Sequence, residues 1–152
     1  MPAYFYESIL GEICIAENNG EITNVYFPNE KLSLDMEIAE APILKEANNQ
    51  LQSYLKGQLK EFSLPLNPKG TEFMKKVWIA LCEIPYGETA SYKDIAEKIG
   101  SPKAARAVGL ANNRNPIPII IPCHRVIGKN GSLIGYGGGL ELKKTLLSIE
   151  ER

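Results

Sequence analysis

Residues 116–128, PIPIIIPCHRVIG, place the chain's one histidine, His124, directly after Cys123 and directly before Arg125. The chemistry open to such a pair is nucleophilic. The thiolate, not the thiol, attacks, and a free thiol is only a few per cent ionised at neutral pH, so it needs a base beside it. The base in turn needs a carboxylate to orient it, as in acid–base triads generally. Glu150 and Glu151 stand at the end of the last helical pattern, LELKKTLLSIEER, and spacing alone does not choose between them. Arg125 would lower the cost of a thiolate. Pro116, Pro118 and Pro122 remove amide donors from the same segment, which a central strand cannot tolerate. The expectation is a stiff apolar loop that holds a nucleophile in fixed geometry. One histidine and two distant cysteines fall short of a zinc site, so no metal is expected, and no cofactor motif is present.

The elements that must position this loop come in two styles. The first third alternates apolar and polar residues in AYFYESI, EICIAE and EITNVYF, with turn signals at Leu10-Gly11 and Asn18-Asn19-Gly20. This predicts a small antiparallel meander. PILKEANNQLQSYLKG then puts Leu44, Ala47, Leu51, Tyr54 and Leu55 on one helical face, between Pro42 and Gly57. EFSLPLNPKG has the composition of a linker, and the domains are expected at 1–68 and 69–152. The second is mainly helical. Phe73, Met74, Val77, Trp78 and Leu81 form a stripe after Thr71 as cap. SYKDIAEKIG opens on Ser91, turns Ile95, Ala96 and Ile99 inward and stops at Gly100. SPKAARAVGLANN is expected to start a helix with Ser101 as cap and Pro102 at the first position. Two short helices joined by a glycine turn are a helix-turn-helix candidate. VIGKNGSLIGY predicts a hairpin turning at Asn130-Gly131, a wing, and LELKKTLLSIEER a closing amphipathic helix. Cys14 and Cys82 fall in apolar patterns and are expected in the core.

Charge divides the same way. Residues 1–69 hold five lysines and ten carboxylates, net −5; residues 70–152 hold twelve Lys/Arg and eight carboxylates, net +4; together they give −1. A polyanion would face the second half only. Three widely spaced cysteines argue against a disulfide framework. No basic start precedes an apolar run and no stretch nears the ~18 apolar residues of a spanning helix. A cytoplasmic protein without membrane contact is expected.

The stretches IPCHRVIGKNGSLIGYGGGLELKKTLLSIE and PYGETASYKDIAEKIGSPKAARAVGLANNRNPIPIIIPCHRV resemble, in order and spacing, the O6-alkylguanine-DNA alkyltransferase family, the methylated-DNA–protein-cysteine methyltransferases. The resemblance covers residues 70–150. It implies an α+β protein, with an amino-terminal α/β domain on an antiparallel sheet and a mainly helical domain containing a winged helix-turn-helix. The implied partner is double-stranded DNA containing O6-alkylguanine, bound through the minor groove by a monomer without cofactor. The implied reaction is a single, irreversible transfer of the alkyl group to Cys123 after the base is flipped out; O4-alkylthymine stays open as a second substrate. On this resemblance His124 takes the thiol proton through a water and Glu150 holds His124. Asn115 braces the loop, and Tyr92 donates to the base. Tyr136 lines the pocket, and backbone groups near Cys123, Val126 and Gly137 meet the guanine edge. Ala105 and Ala107 let the second helix approach a narrow groove, Arg106 fills the vacated stack, and Arg125 joins the DNA contacts. A sister group with tryptophan at the acceptor position only senses damage. The alternative readings, a damage-binding module and a cysteine hydrolase, are disfavoured by Cys123 and by the helix-turn-helix respectively.

Overall fold

The alternating start of the chain forms strands β1 (Pro2–Ser8), β2 (Gly11–Asn18) and β3 (Glu21–Tyr26) in a computed structural model that describes residues 1–28, 30–32, 35–128 and 139–151. β1 and β2 pair antiparallel, with Phe5 opposite Cys14, and β3 pairs antiparallel with β2. Asn19 and Gly20 join β2 to β3 with φ of 51° and 82°. Both angles lie in the left-handed region that the tight hairpin turn demands and that Asn-Gly tolerates. A fourth strand, β4 (Glu37–Ile38), adds parallel to β1 and gives the order β3-β2-β1-β4. Its two residues are both exposed, too short a run to show alternation.

Helix α1 (Pro42–Leu55) buries Leu44, Ala47, Leu51, Tyr54 and Leu55, the predicted stripe, and packs on β1, β2 and β3. β2 is covered on both faces. Ile13 and Ile15 are fully buried, while Cys14 and Ala16 cluster with Ala3 beneath Phe5, Tyr26 and Met36. Cys14 is thus a core residue. The proline-rich stretch after α1 is not a free tether, because the Ile22 N–H donates to the Pro65 carbonyl (2.8 Å) and Asn67 donates back to Ile22 (2.8 Å). The Val25 N–H donates to the Pro116 carbonyl (2.9 Å). These contacts close the open edge of β3. Residues 1–69 with 116–120 make one compact unit, and 70–115 with 121–152 make the other.

The second unit contains α2 (Glu72–Cys82), β5 (Ala90–Ser91), α3 (Tyr92–Lys98), α4 (Ala105–Asn113), a 3-10 turn (Cys123–Arg125), β6 (Val126–Ile127) and α5 (Leu140–Glu150). Thr71 caps α2 by accepting from the Met74 N–H (3.1 Å). Val77, Trp78, Ala80 and Leu81 are buried, whereas Phe73 and Met74 are half-buried. Ser91 and Asp94 form a reciprocal capping box on α3, satisfying two orphan donors. α3 packs on α4, the expected helix-turn-helix pair. The expected start of α4 is corrected. Residues 101–104 form a turn closed by the Ala104 N–H to the Ser101 carbonyl (2.9 Å), and the helix begins at Ala105 without a side-chain cap. Proline suits the second position of such a turn as well as the first of a helix, since both need φ near −65°. Two-residue strands β5 and β6 pair in parallel. The hairpin expected at Asn130-Gly131, with Tyr136 and Gly137, lies outside the described residues.

Trp78, the only tryptophan, is 2% exposed and donates its Nε1–H to the Ala111 carbonyl (2.9 Å), joining α2 to α4. A Cβ on Gly70 would collide with the Trp78 ring. Gly70→Ala is therefore expected to cost about 1–3 kcal/mol, the usual penalty of overpacking. Urea melts followed by the fluorescence of this one indole would register both the loss and the ring's displacement; an unchanged midpoint would refute the close fit.

Candidate active site

Pro122 sets the geometry of the acceptor loop. Its φ and ψ of −80° and 63° make an inverse γ-turn, closed by the Cys123 N–H on the Ile121 carbonyl (2.8 Å). The 3-10 turn follows at once, with the Arg125 N–H on the Pro122 carbonyl (3.0 Å) and the Val126 N–H on that of Cys123. Cys123 is 3% exposed and His124 fully buried. The loop that precedes the turn carries Ile119 at φ 74°, a conformation a β-branched side chain rarely adopts.

α5 supplies the carboxylate. Lys143, Leu146, Ile149 and Glu150 face inward, and Glu151 is exposed; the fold selects Glu150. Its Oε2 lies 2.7 Å from His124 Nε2. An ionised carboxylate there accepts the Nε2–H and leaves the imidazole lone pair on Nδ1, the tautomer a base needs. Glu150 also accepts from Arg125 Nε (2.9 Å), Arg125 Nη2 (3.0 Å) and the Gly87 N–H (3.1 Å).

Arg125, expected among the DNA contacts, is turned inward. It is 7% exposed, forks onto Glu150, and donates Nη1 to the Ile84 carbonyl (2.7 Å). A guanidinium in the interior needs that carboxylate to offset its desolvation, and it presents nothing to a phosphate. Cys82, expected in the core, is exposed at the end of α2, on the outward stripe that Lys75 and Ile79 share with it.

Tyr92, the first residue of α3, is half-buried. Burial raises its phenol pKa, and the charge of a Cys123 thiolate raises it further. A Cβ on Gly109 of α4 would touch the ring at 3.7 Å, so α4 backs the tyrosine. Asn115 donates Nδ2 to the Ile121 carbonyl (2.8 Å), the same oxygen that closes the γ-turn. Arg106 and Ala107 are exposed on α4, and Ala105 is half-buried.

Two residues at the site escape the sequence reading. Asn112 is 1% exposed and donates Nδ2 to the Cys123 carbonyl (3.3 Å), while its Oδ1 meets no donor among the described residues. Lys143 is fully buried and donates Nζ to the Val126 carbonyl. The available signal was a polar residue on an apolar stripe: Asn112 beside Val108 and Ala111, Lys143 beside Leu146.

Burial pushes the His124 pKa below its ordinary value, outweighing the Glu150 hydrogen bond and charge, which act the other way. The unfolded chain, with histidine near 6.5, then binds more protons than the native one at lower pH. The stability contributed by neutral His124 is complete above about pH 6.5 and is lost as pH falls below it. Denaturant midpoints of the wild type are expected to drop on acidification more steeply than those of His124→Gln. Parallel curves would remove His124 from the account.

A helix-turn-helix unit that presents a thiol with a carboxylate-backed imidazole defines the class. The 6-O-methylguanine DNA methyltransferase DNA-binding domain matches residues 72–152, and the ribonuclease-like domain of the same proteins matches residues 3–68. The methylated-DNA–protein-cysteine methyltransferase of Methanosarcina barkeri is 52% identical over 148 residues, covering 95% of this chain and 94% of its own. The constitutive enzyme of that name from Bacillus subtilis is 53% identical over 151 residues, covering 95% and 92%. Among solved structures, Mycobacterium tuberculosis OGT in complex with DNA superposes with a TM-score of 0.93 at 44% identity, covering 99% of this chain and 93% of that one. The chain belongs to the 6-O-methylguanine DNA methyltransferase family. No helix among the described residues is long and apolar enough to cross a membrane.

Proposed function

We propose that this protein repairs DNA by direct reversal, moving the alkyl group of O6-alkylguanine in duplex DNA onto Cys123. The observation that carries the reading is the buried Cys123–His124–Glu150 series in a chain of this family. His124 Nδ1 takes the thiol proton through a water, with Glu150 steadying the imidazolium that forms. The thiolate Sγ attacks the alkyl carbon, a C–S bond forms, and the C–O6 bond breaks with its electron pair left on the base. Tyr92 gives a proton to the departing guanine. Asn115 keeps the acceptor loop in place, and Tyr136 with backbone groups near Cys123, Val126 and Gly137 holds the base. The thioether has no route back, so each molecule acts once.

DNA is met by residues 69–152, with α4 laid in the minor groove, where readout is degenerate; a repair protein has to work in any sequence. Ala105 and Ala107 keep that helix slim. Arg106 fills the space of the flipped base, offsetting an unstacking cost of a few kcal/mol. The protein acts as a monomer in the cytoplasm. Incubation with a duplex holding one O6-methylguanine, followed by intact-protein mass spectrometry, tests the reading. One added methyl per chain is expected, and binding without any mass change would leave only a damage-binding module. Arg106→Ala should slow duplex repair by about tenfold or more, equivalent to ~1.4 kcal/mol, while leaving reaction with free O6-benzylguanine nearly unchanged. Equal losses on both would assign Arg106 to the chemistry or the fold.

A further inference from the structure

The stretch IPYGE, residues 84–88, separates α2 from β5, and the reaction above gives it no task. Its turn is closed by the Glu88 N–H on the Pro85 carbonyl (3.1 Å), with Gly87 at φ 82°. A type II turn needs that left-handed angle at its third residue, and glycine adopts it freely. Four groups of this stretch reach Arg125 and the end of α5. The Ile84 carbonyl accepts from Arg125 Nη1 (2.7 Å). The Tyr86 ring faces the guanidinium, with Arg125 Cζ 5.7 Å from its centroid, within cation–π range. The Tyr86 hydroxyl donates to the Ile149 carbonyl (3.3 Å), and the Gly87 N–H donates to Glu150 Oε1 (3.1 Å).

An ionised carboxylate offers about four lone-pair sites, and donors meet all of them on Glu150. Oε1 accepts from Arg125 Nε and the Gly87 N–H, and Oε2 from His124 Nε2 and Arg125 Nη2. No site is left for a proton, so this carboxylate orients the imidazole and does not relieve it of charge. We propose that Tyr86 and Gly87 are positioning residues for the proton path: their turn holds the Glu150 carboxylate at the angle that accepts the His124 Nε2–H, and so keeps the imidazole lone pair on Nδ1. What that lone pair then does rests on the alkyl-transfer reading. The charges that bear on the imidazole are those of Glu150, Arg125 and Lys143, and the turn acts on it through the first two. A turn that served only to stop α2 would leave the imidazole indifferent to its loss.

His124 is the only histidine, so the imidazole nitrogen NMR signals of the full-length protein, isotope-labelled at histidine, report its tautomer without overlap. The wild type is expected to show one neutral tautomer, protonated at Nε2. Gly87→Ala puts a β-carbon on a left-handed residue, a strain that drives the turn off Glu150. It should show mixed tautomers and transfer benzyl from free O6-benzylguanine to Cys123 about tenfold more slowly. Gly87→Asn adds a β-carbon too but tolerates the left-handed angle, and should recover part of both readouts. Tyr86→Phe keeps the ring at Arg125 and removes only the hydroxyl. It should show a smaller admixture of the second tautomer, and it is the working variant if Gly87→Ala does not fold. A pure Nε2–H tautomer in every folded variant overturns the inference, whatever happens to the rate. Mixed tautomers in the wild type overturn it too, as does a shifted tautomer with transfer at wild-type speed. A wild type that transfers no benzyl sinks the alkyl-transfer reading instead, while the tautomers still decide whether the turn sets the imidazole.

Discussion

Cys123→Ala is expected to abolish alkyl transfer altogether while leaving binding to damaged duplex intact. The exposed face of α4 is untouched by the change, and alanine fits the space of a buried thiol. No other sulfur can substitute. Cys14 sits in the first unit with its thiol pushed up to about 11 by burial and by Glu12. Cys82 is exposed, and the only imidazole in the chain hydrogen-bonds Glu150 behind the Cys123 turn. In the wild type a burst of one methyl per chain should be followed by silence, with the added mass on the peptide containing Cys123. Continued turnover at excess substrate, or a methyl on Cys14 or Cys82 with Cys123 free, would overturn the mechanism. In the proposed mechanism His124 only supplies base, so His124→Ala should slow transfer within the roughly 10²–10⁴-fold range of a positioned base and not eliminate it.

Glu150→Ala should damage both folding and chemistry. The carboxylate is shared by His124, by both arms of Arg125 and by the Gly87 N–H. Removing it strands a guanidinium in the interior, a loss of about 3–5 kcal/mol. At roughly 2–4 °C per kcal/mol for a chain of this size, the melting temperature should fall on the order of 10 °C. The paired variant Arg125→Met with Glu150→Leu replaces the ion pair by apolar groups and should recover much of that stability. It should not recover the transfer rate, since His124 Nε2–H still lacks its acceptor. A paired variant no more stable than Glu150→Ala would show that the ion pair is not what the mutation breaks. A paired variant with restored transfer would take Glu150 out of the proton path.

Position along the chain explains which features were legible. Helix faces and caps are local: the α1 stripe from Leu44 to Leu55, Thr71 on α2 and the Ser91–Asp94 box on α3 depend on residues three or four apart. So does the Ile121–Pro122–Cys123 turn, whose central φ is fixed by the proline ring. Pro102 shows the limit of local evidence, since one φ value serves both a helix start and a turn, and the hydrogen bond of Ala104 decided for the turn. The two-residue strands β4, β5 and β6 leave no period to detect.

The sequence by itself set a candidate nucleophile beside its candidate base and announced the helix-turn-helix and the division into a sheet-based and a helical half. Periodicity can say which face of an element turns inward, but not what waits there. That Arg125 points into the protein, that Cys82 stays outside it, and that Asn112 and Lys143 grip the carbonyls of Cys123 and Val126 were decided only by tertiary structure, which also set Glu150, named by the resemblance but not by spacing, against His124. The gripping partners lie 11 to 26 residues apart. A buried charge or amide takes whichever partner the packing of α4 and α5 against the acceptor turn brings within hydrogen-bond reach, because leaving it unpaired in the interior costs more than any local preference supplies.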